Sequence, residues 1–223
     1  MIMQAKELAG FIDHTVLKPY VDRDTIARYC KQAIKYGFHS VCVNPCHVKF
    51  VSDRLKGTDV KVCTVVGFPL GANVTKVKAY ETKMAIHDGA DEIDMVINIG
   101  ALKERNFELV KEDILGVVRE AKSKIVKVII ETCFLSNEEK KVVCSIAKEC
   151  GAHFIKTSTG FGTGGAKALD VALIKSIVGD SMGIKASGGI RDVDTLEELI
   201  KAGANRIGTS SGMDFIGEHV NLV

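Results

Sequence analysis

Residues 154–165, FIKTSTGFGTGG, and residues 183–189, GIKASGG, follow one plan. Each stretch opens as a short apolar strand, carries a lysine in the middle of that strand and ends in glycines. A lysine in a strand, next to a loop able to hold an anion, indicates a side chain that is used for its nitrogen rather than for its charge. If the two strands are neighbours in one sheet, Lys156 and Lys185 lie at similar heights on adjacent strands.

Strands alternate with helices along the chain. The runs predicted as strands are continuously apolar, which is typical of a parallel sheet that is covered on both faces. Helical patterns lie between them, with predicted N-terminal caps at Asn73, at Ser136 with Glu139, and at Asp194. The eight predicted strands cover residues 11–13, 40–44, 61–68, 92–98, 126–132 and 206–211, together with the opening residues of the two lysine stretches.

The joints between helices and strands repeat. KYGFHSVCV, HDGADEIDM, ECGAHFIKT and KAGANRIGT share one pattern, with glycine at residues 37, 89, 151 and 203. This spacing is close to two strand–helix units, and four such βαβα quarters close naturally as an eight-stranded barrel. An open doubly wound sheet alternates strands and helices equally well and is the alternative. The even repeat and the length favour one α/β domain over residues 1–223, a (βα)8 TIM barrel.

Composition limits the partners. The 30 basic residues nearly balance the 28 acidic ones and form no block, which argues against nucleic acid or an anionic membrane as the main partner. No apolar run approaches the roughly 20 residues of a membrane span, and residues 1–10 lack the apolar core of a signal peptide, so we expect a cytoplasmic protein. The seven cysteines are predicted to be reduced. Cys42, Cys46 and His47 resemble metal ligands, but no second ligand pair has suitable spacing, and no metal is expected.

A barrel carries its active site at the C-terminal ends of its strands, where Lys156, Lys185 and Asp94 are expected. Two ammonium groups on adjacent strands disfavour each other's protonation and burial acts in the same direction, so the pKa of a lysine here should fall. A neutral lysine can attack a carbonyl carbon and form a Schiff base. Asp94, expected across the mouth of the barrel, could relay protons through water. These residues suit an aldolase that works through an imine and needs no metal or other cofactor.

Two glycine-containing loops predict a phosphate site. Residues 187–189 follow the seventh strand and residues 208–211 belong to the eighth, where barrels commonly bind phosphate. Backbone N–H groups free of side chains, together with two hydroxyls, can surround a dianion. Residues 160–165 also fit the G-x-G-x-x-G pattern of dinucleotide sites. The acidic residue that such a site needs about 20 residues later is absent, because that region holds Lys185.

With these residues assembled, the chain resembles the deoxyribose-phosphate aldolases, which are metal-free Schiff-base aldolases of the barrel class. The resemblance implies reversible cleavage of 2-deoxy-D-ribose 5-phosphate to acetaldehyde and D-glyceraldehyde 3-phosphate, a step in the degradation of deoxyribose phosphate. The matching pieces run from residue 12 to residue 212 in family order. They are IDHTVLKP, SVCVNP, VVGFPLG, DEIDMVIN, FIKTSTGF, GIKASGGIR and GTSSG.

The resemblance also implies a role for each matching residue. Lys156 forms the imine, Lys185 lowers its pKa, and Asp94 takes part in proton relay. The implied partner is a phosphosugar substrate, and the family often forms homo-oligomers, dimers or tetramers. The phosphate is expected at Gly160, Gly188, Gly189, Gly208, Ser210 and Ser211, and the rest of the pocket lining at Asp13, Thr15, Leu17, Cys42 and Thr159.

Two positions depart from the family pattern. Some members have a lysine directly after the STG of the sixth strand, where it can touch phosphate. Here that residue is Phe161, which predicts a weaker hold on phosphate. Some members end in a tyrosine that assists proton transfer, whereas the printed sequence ends in residues 219–223 without one, so proton exchange is expected to depend on Asp94 and water.

Two other functions fit part of these observations. Another phosphosugar barrel enzyme, such as an isomerase or a transaldolase-like transferase, would explain the phosphate loops and one lysine. Such an enzyme would not need a second lysine on the next strand. A non-catalytic barrel that binds a phosphometabolite would explain the loops alone.

Overall fold

The computed structural model describes residues 5–220 and shows a closed barrel of eight parallel strands. Each strand pairs with the next along the chain, and the eighth pairs with the first. The predicted (βα)8 barrel is therefore confirmed, and the open sheet is wrong. The strands are Ile12–Val16 (β1), Ser40–Val43 (β2), Lys61–Val66 (β3), Glu92–Val96 (β4), Ile125–Ile129 (β5), Phe154–Lys156 (β6), Gly183–Ser187 (β7) and Arg206–Thr209 (β8).

Helices cover the outside of the barrel. One precedes β1, two follow β4, and one follows each of the other strands, with short 3-10 turns at Pro45–His47 and Thr132–Phe134. No helix within the described residues is both long enough and apolar enough to cross a bilayer. The helices are Ala5–Ala9 (α1), Arg23–Tyr36 (α2), Val48–Leu55 (α3), Thr75–His87 (α4), Ile99–Lys103 (α5), Phe107–Ala121 (α6), Asn137–Glu149 (α7), Ala168–Val178 (α8), Val193–Lys201 (α9) and Gly212–Val220 (α10).

Cover on both faces explains why the strands are continuously apolar. All residues of β2, β4 and β8 are buried. The parallel register pairs Lys156 of β6 with Lys185 of β7, as predicted. It also pairs Asp94 of β4 with Lys127 of β5. Because side chains alternate along a strand, this register sends all four side chains into the barrel interior, where they meet.

The four repeated glycines mark the points at which the chain turns from a helix back into a strand. Gly37, Gly89, Gly151 and Gly203 all have positive φ angles, from 72° to 116°. Glycine adopts this left-handed conformation without the steric cost that a Cβ atom brings. The repeat found in the sequence is therefore a repeat of turn geometry.

The predicted helix starts are confirmed at one of three positions. Ser136 and Glu139 form the expected capping box at the start of α7. Asn73 does not cap α4, which begins without a side-chain cap. Asp192 caps α9 in place of Asp194, because that helix begins two residues earlier than predicted. Residues 221–223, where the expectation about a terminal tyrosine falls, lie outside the described residues.

Candidate active site

One cavity of about 300 Å³ opens where β1, β6, β7 and β8 end. Lys156, the last residue of β6, reaches this cavity from the barrel interior. Among the described residues, its lining contains two further cations, Lys18 and Arg191, and no carboxylate. The cavity therefore offers an anionic ligand one buried amine and a positively charged rim.

The structure brings most of the predicted site residues to this cavity. All six predicted phosphate-binding residues line it, and so do Thr15, Leu17 and Thr159. Asp13 and Cys42 do not line it, because both side chains are fully buried in the barrel interior. Asp94 and Lys185 lie in the same interior and are likewise absent from the lining. The six predicted phosphate-binding residues in the lining are Gly160, Gly188, Gly189, Gly208, Ser210 and Ser211.

A buried carboxylate joins the two predicted lysines. The Nζ atoms of Lys156 and Lys185 each donate to Oδ2 of Asp94 at 2.8 Å. Lys127 donates to the other oxygen, Oδ1, also at 2.8 Å. Lys156 is 2% exposed and the other three residues are 0% exposed. Asp94 was expected across the mouth of the barrel; it lies instead in direct contact with Lys156.

Further charges lie on the other side of this carboxylate. Oδ2 of Asp13 lies 2.5 Å from the Nζ atom of Lys185, and Oδ1 accepts from Arg206 at 3.0 Å. Oε2 of Glu92 lies 2.5 Å from the Nζ atom of Lys127 and accepts from Arg206 at 3.0 Å. These residues form one continuous network, here named the charge cluster. Its members are the cations Lys127, Lys156, Lys185 and Arg206 and the anions Asp13, Glu92 and Asp94.

Glu92, Lys127 and Arg206 were not predicted from the sequence. A signal existed for Lys127, which stands between two valines in a strand as apolar as those of the predicted lysines. A charged side chain is rarely buried in such a strand without a partner, so its presence there indicates an interior network. Glu92 and Arg206 begin their strands, where a charge usually reaches solvent, and nothing in their sequence context distinguishes them.

The pKa values in the charge cluster overturn one expectation. Burial alone would raise the pKa of Asp94, but the ammonium groups of Lys127, Lys156 and Lys185 outweigh it and hold this pKa well below its usual range. Burial would lower the pKa of Lys185, but the carboxylates of Asp13 and Asp94 outweigh it and raise this pKa. The expected mutual lowering of the two lysines is therefore wrong for Lys185, which is a fixed cation beside Lys156.

The loops after β6 and β7 pack backbone against backbone beside the cavity. A Cβ atom on Gly165 would overlap the carbonyl oxygen of Gly188, and one on Gly188 would lie 3.4 Å from the Cα atom of Gly160. The Ala166 N–H donates to that same Gly188 carbonyl at 3.0 Å. Glycine is required here because no side chain fits between the loops. Their close approach keeps the predicted phosphate-binding segments together.

Glu131, which was not among the predicted site residues, braces the loop after β6. It is buried, and its φ of 53° lies in the left-handed region, which costs a non-glycine residue about 1–3 kcal/mol. Its two carboxylate oxygens accept the Thr159 N–H at 3.3 and 3.2 Å, and the Thr159 hydroxyl also donates to it. The Thr159 hydroxyl oxygen in turn accepts the Phe161 N–H at 3.0 Å. The strained residue thus fixes one wall of the cavity.

Two groups of ligand-type side chains in the described residues are compact enough for a metal ion. One consists of Cys42, Cys63 and Asp94 and the other of Asp13, Cys63 and Glu92, with ligand atoms within 4.8 Å of one another in each group. Both lie inside the charge cluster, where the surrounding ammonium groups repel a metal cation.

The two buried thiols, Cys42 and Cys63, differ in their pKa values. A hydrogen bond with Cys63 lowers the pKa of Cys42, and burial raises the pKa of Cys63.

Comparison with known proteins places the chain among aldolases. The model of the DeoC/LacD family of aldolases matches residues 8–216. A deoxyribose-phosphate aldolase of Clostridium tetani is 59% identical, over 95% of this chain and 99% of the relative. One of Thermococcus kodakarensis is 56% identical, over 96% of this chain and 97% of the relative. The solved structure of a tetrameric deoxyribose phosphate aldolase from Aeropyrum pernix has a TM-score of 0.91 at 32% identity, over 99% of this chain and 94% of that one.

Proposed function

The chain belongs to the DeoC/LacD family of aldolases, and we propose that it uses Lys156 to cleave 2-deoxy-D-ribose 5-phosphate reversibly into acetaldehyde and D-glyceraldehyde 3-phosphate. Relatives named deoxyribose-phosphate aldolase match nearly the whole chain, which favours this lyase over the isomerase, transferase and non-catalytic alternatives. One observation carries the proposal for the mechanism. Within the charge cluster, Lys156 is the lysine that reaches the cavity.

Charge balance supports Lys156 as the nucleophile. Counted without Lys156, the charge cluster is neutral, because three cations match three carboxylates. Lys127 and Lys185 are needed as partners of these carboxylates, whereas Lys156 is the additional lysine and the one that reaches the cavity. A neutral amine is the form that attacks a carbonyl carbon. The three cations in this count are Lys127, Lys185 and Arg206, and the three carboxylates are Asp13, Glu92 and Asp94.

The reaction balances without a metal or an added oxidant. The Lys156 amine attacks C1 of the open-chain aldehyde, and loss of water gives a protonated imine. Loss of the C3 hydroxyl proton breaks the C2–C3 bond, releases D-glyceraldehyde 3-phosphate and leaves an enamine. Protonation at C2 and hydrolysis then release acetaldehyde and restore the amine.

Two expectations stay predictions. They are that the reaction serves carbohydrate degradation and that the protein is cytoplasmic.

Asp94 and Lys185 act from inside the barrel. Asp94 stays ionised because the lysines around it outweigh its burial and hold its pKa low, so it stabilises the cationic imine at the Lys156 nitrogen. Asp94 does not line the cavity, and we therefore assign the C3 hydroxyl proton to a water that connects the substrate to this carboxylate. Lys185 donates to the same carboxylate oxygen and so helps to hold it beside the Lys156 nitrogen.

The glycine loops hold the phosphate end of the substrate in this proposal. Gly188 and Gly189 follow β7, and Ser210 and Ser211 lie between β8 and the start of α10. Backbone N–H groups at a helix start favour an anion. The cavity lining supports the same assignment, since none of its described side chains is a carboxylate that would repel the dianion. Thr15, Leu17 and Thr159 then face the sugar carbons between Lys156 and the phosphate.

Borohydride trapping tests the covalent step. Reduction in the presence of acetaldehyde should add one ethyl group to Lys156, which peptide mass mapping locates. Lys156→Met should lose this label and lower kcat by about 10⁴-fold or more. Lys201→Met is the control, because Lys201 is exposed and paired with Glu197 on the surface, and it should label like the wild type. A label on another lysine, or full turnover by Lys156→Met, would overturn the assignment.

We also propose that the chain forms a homo-oligomer, either a dimer or a tetramer. The Aeropyrum pernix relative is tetrameric. One face of α4 carries Val77, Tyr80 and Met84, which are 47%, 64% and 40% exposed, and such an apolar face is a candidate for burial between subunits. Light scattering should give at least twice the mass of one chain. A monomer throughout the micromolar range would contradict the proposal.

A further inference from the structure

Lys18 and Phe161 meet at the rim of the cavity. Lys18 follows β1, Phe161 follows β6, and both line the cavity. The Nζ atom of Lys18 lies 5.1 Å from the centre of the Phe161 ring, within the range of a cation–π contact. In the closed barrel, β7 and β8 lie between β6 and β1. The contact therefore spans the part of the mouth that lies beside the glycine loops.

Phe161 is held by one contact at its ring and one at its backbone. It makes an edge-to-face contact with Phe68, with ring centres 5.3 Å apart and an angle of 88° between the rings. Its backbone N–H donates to the Thr159 hydroxyl oxygen, which Glu131 holds in place. The ring is thus positioned even though the residue is 44% exposed. A fixed ring restricts the conformers of the lysine that lies over it, so less entropy is lost when that lysine binds an anion.

We propose that Lys18 is a specificity-determining residue that binds the substrate phosphate, and that Phe161 positions it. This inference rests on the proposed function, because there the phosphate lies at the glycine loops of the same cavity. An ammonium group over a ring face keeps N–H donors for phosphate oxygens. Phe161 brings no charge of its own, and the weaker hold on phosphate predicted from it is offset by a cation from the loop after β1.

Removing the Lys18 charge tests the assignment. Lys18→Met should raise KM for 2-deoxy-D-ribose 5-phosphate about tenfold, the effect of losing one charge-assisted hydrogen bond at an exposed residue of the cavity rim. The value of kcat should change less than about twofold, since Lys18 is placed at the phosphate rather than at the reacting carbons. Unphosphorylated 2-deoxy-D-ribose should show the same kcat/KM in both proteins. Lys18→Arg, which keeps the charge, should restore most of the phosphate affinity.

Changes at Phe161 separate the positioning of the charge from the charge itself. Phe161→Leu keeps an apolar side chain without a π face, and it should raise KM for the phosphosugar about threefold. The same change made in the Lys18→Met background should have no further effect, because no ammonium group remains to be positioned. Phe161→Lys in that background places an ammonium group on the same side of the cavity and should recover part of the lost affinity. Equal effects of Phe161→Leu in both backgrounds would overturn the positioning role.

Binding of inorganic phosphate distinguishes this inference from the proposed reaction. Calorimetric titration should show about tenfold weaker phosphate binding to Lys18→Met than to the wild type, with competition by the phosphosugar placing both at one site. Equal affinities would overturn the role of Lys18, even in an enzyme that turns over the phosphosugar. Weaker binding to the variant would support that role, even in a wild type that proved not to cleave the phosphosugar. In that case the proposed reaction alone would have failed.

Discussion

Three lysines project into the barrel, and their neighbours give them different tasks. Lys127 and Lys185 each contact at least two carboxylates. Burial opposes their charge, but the carboxylates outweigh it and raise the pKa of both residues. Lys156 pairs with Asp94 at the edge of the charge cluster, where it also reaches the cavity. Two lysines are therefore held as cations, and Lys156, the lysine at the cavity, is left for the proposed nucleophilic role.

His14 gives the protein a pH-dependent contribution to stability. Its ring is buried, stacks on Tyr29 with centres 4.1 Å apart, and has its Nε2 atom 2.9 Å from Oε1 of Gln32. Burial lowers the pKa of His14 from 6.5 to about 4, so the folded ring stays neutral at pH values where the unfolded chain takes up a proton. The free energy of unfolding should therefore fall by up to about 3 kcal/mol as the pH drops through this interval.

Urea unfolding at a series of pH values measures this contribution. His14→Leu fills an apolar site without a titrating group, so its free energy of unfolding should fall less steeply between about pH 6.5 and 4. His87→Leu is the control, because the His87 side chain is 78% exposed, and its curve should follow that of the wild type. Parallel curves for His14→Leu and the wild type would show that His14 does not titrate differently on unfolding.

At the scale of elements, the residues after β5 shape the loop after β6. The Glu131 carboxylate holds the N–H and the hydroxyl of Thr159, and Thr159 lines the cavity. Glu131→Gln keeps the size of the side chain but replaces one acceptor oxygen with a donor, so the Thr159 contacts weaken. We expect KM for the phosphosugar to rise about fivefold and kcat to fall less, as measured by steady-state kinetics. Glu138→Gln, at a side chain that is 80% exposed, is the matched control.

A lower melting temperature of Glu131→Gln with unchanged KM would show that Glu131 stabilises the fold and does not position the cavity lining. Glu131→Gln also distinguishes positioning of the loop from a general contribution to packing, because the loop after β6 carries both Thr159 and Gly160 of the cavity lining. A role in positioning them predicts a larger effect on phosphorylated than on unphosphorylated substrate. A general loss of packing would affect both substrates alike.

Local signals explain which elements could be predicted. Left-handed turns favour glycine, so the four repeated glycines predicted the repeating barrel from the sequence alone. The depth of a strand residue inside the barrel depends on the register of all eight strands, which no local pattern encodes. Cys42 was therefore expected in the pocket lining but lies beneath it, and Lys127 was not expected in the interior at all. The brace at Glu131 depends on a contact with a residue 28 positions away.

At the scale of the whole molecule, the charge cluster replaces part of an ordinary barrel core. Such interiors are usually filled by layers of branched apolar side chains. Here the seven charged residues of the cluster come from six strands, β1, β4, β5, β6, β7 and β8. A buried charge is stable only while its partners stay in place, so each of these strands depends on several others. The contacts that hold the barrel interior together are therefore the same contacts that orient Lys156.

Lys127 and Glu92 offer a direct test of this dependence. Their Nζ and Oε2 atoms lie 2.5 Å apart, and both residues are fully buried. Lys127→Met leaves Glu92 and Asp94 with one cation fewer, and it should lower the free energy of unfolding by about 3–5 kcal/mol at pH 7. Glu92→Gln leaves Lys127 and Arg206 with one anion fewer and should cost a similar amount. Urea unfolding of the single variants gives both values.

The double variant Lys127→Met/Glu92→Gln decides whether the cluster acts as a unit. It removes one cation and one anion together, so the rest of the cluster keeps its charge balance, and the double loss should be smaller than the sum of the single losses by about 1–3 kcal/mol. The surface pair Lys49 and Asp53 is the control, since an exposed ion pair contributes at most about 1 kcal/mol and its cycle should show little coupling. Additive losses at the buried pair would mean that the strands hold their positions independently of the charges between them. Lys156 would then owe its orientation to the packing around the barrel and not to the network inside it.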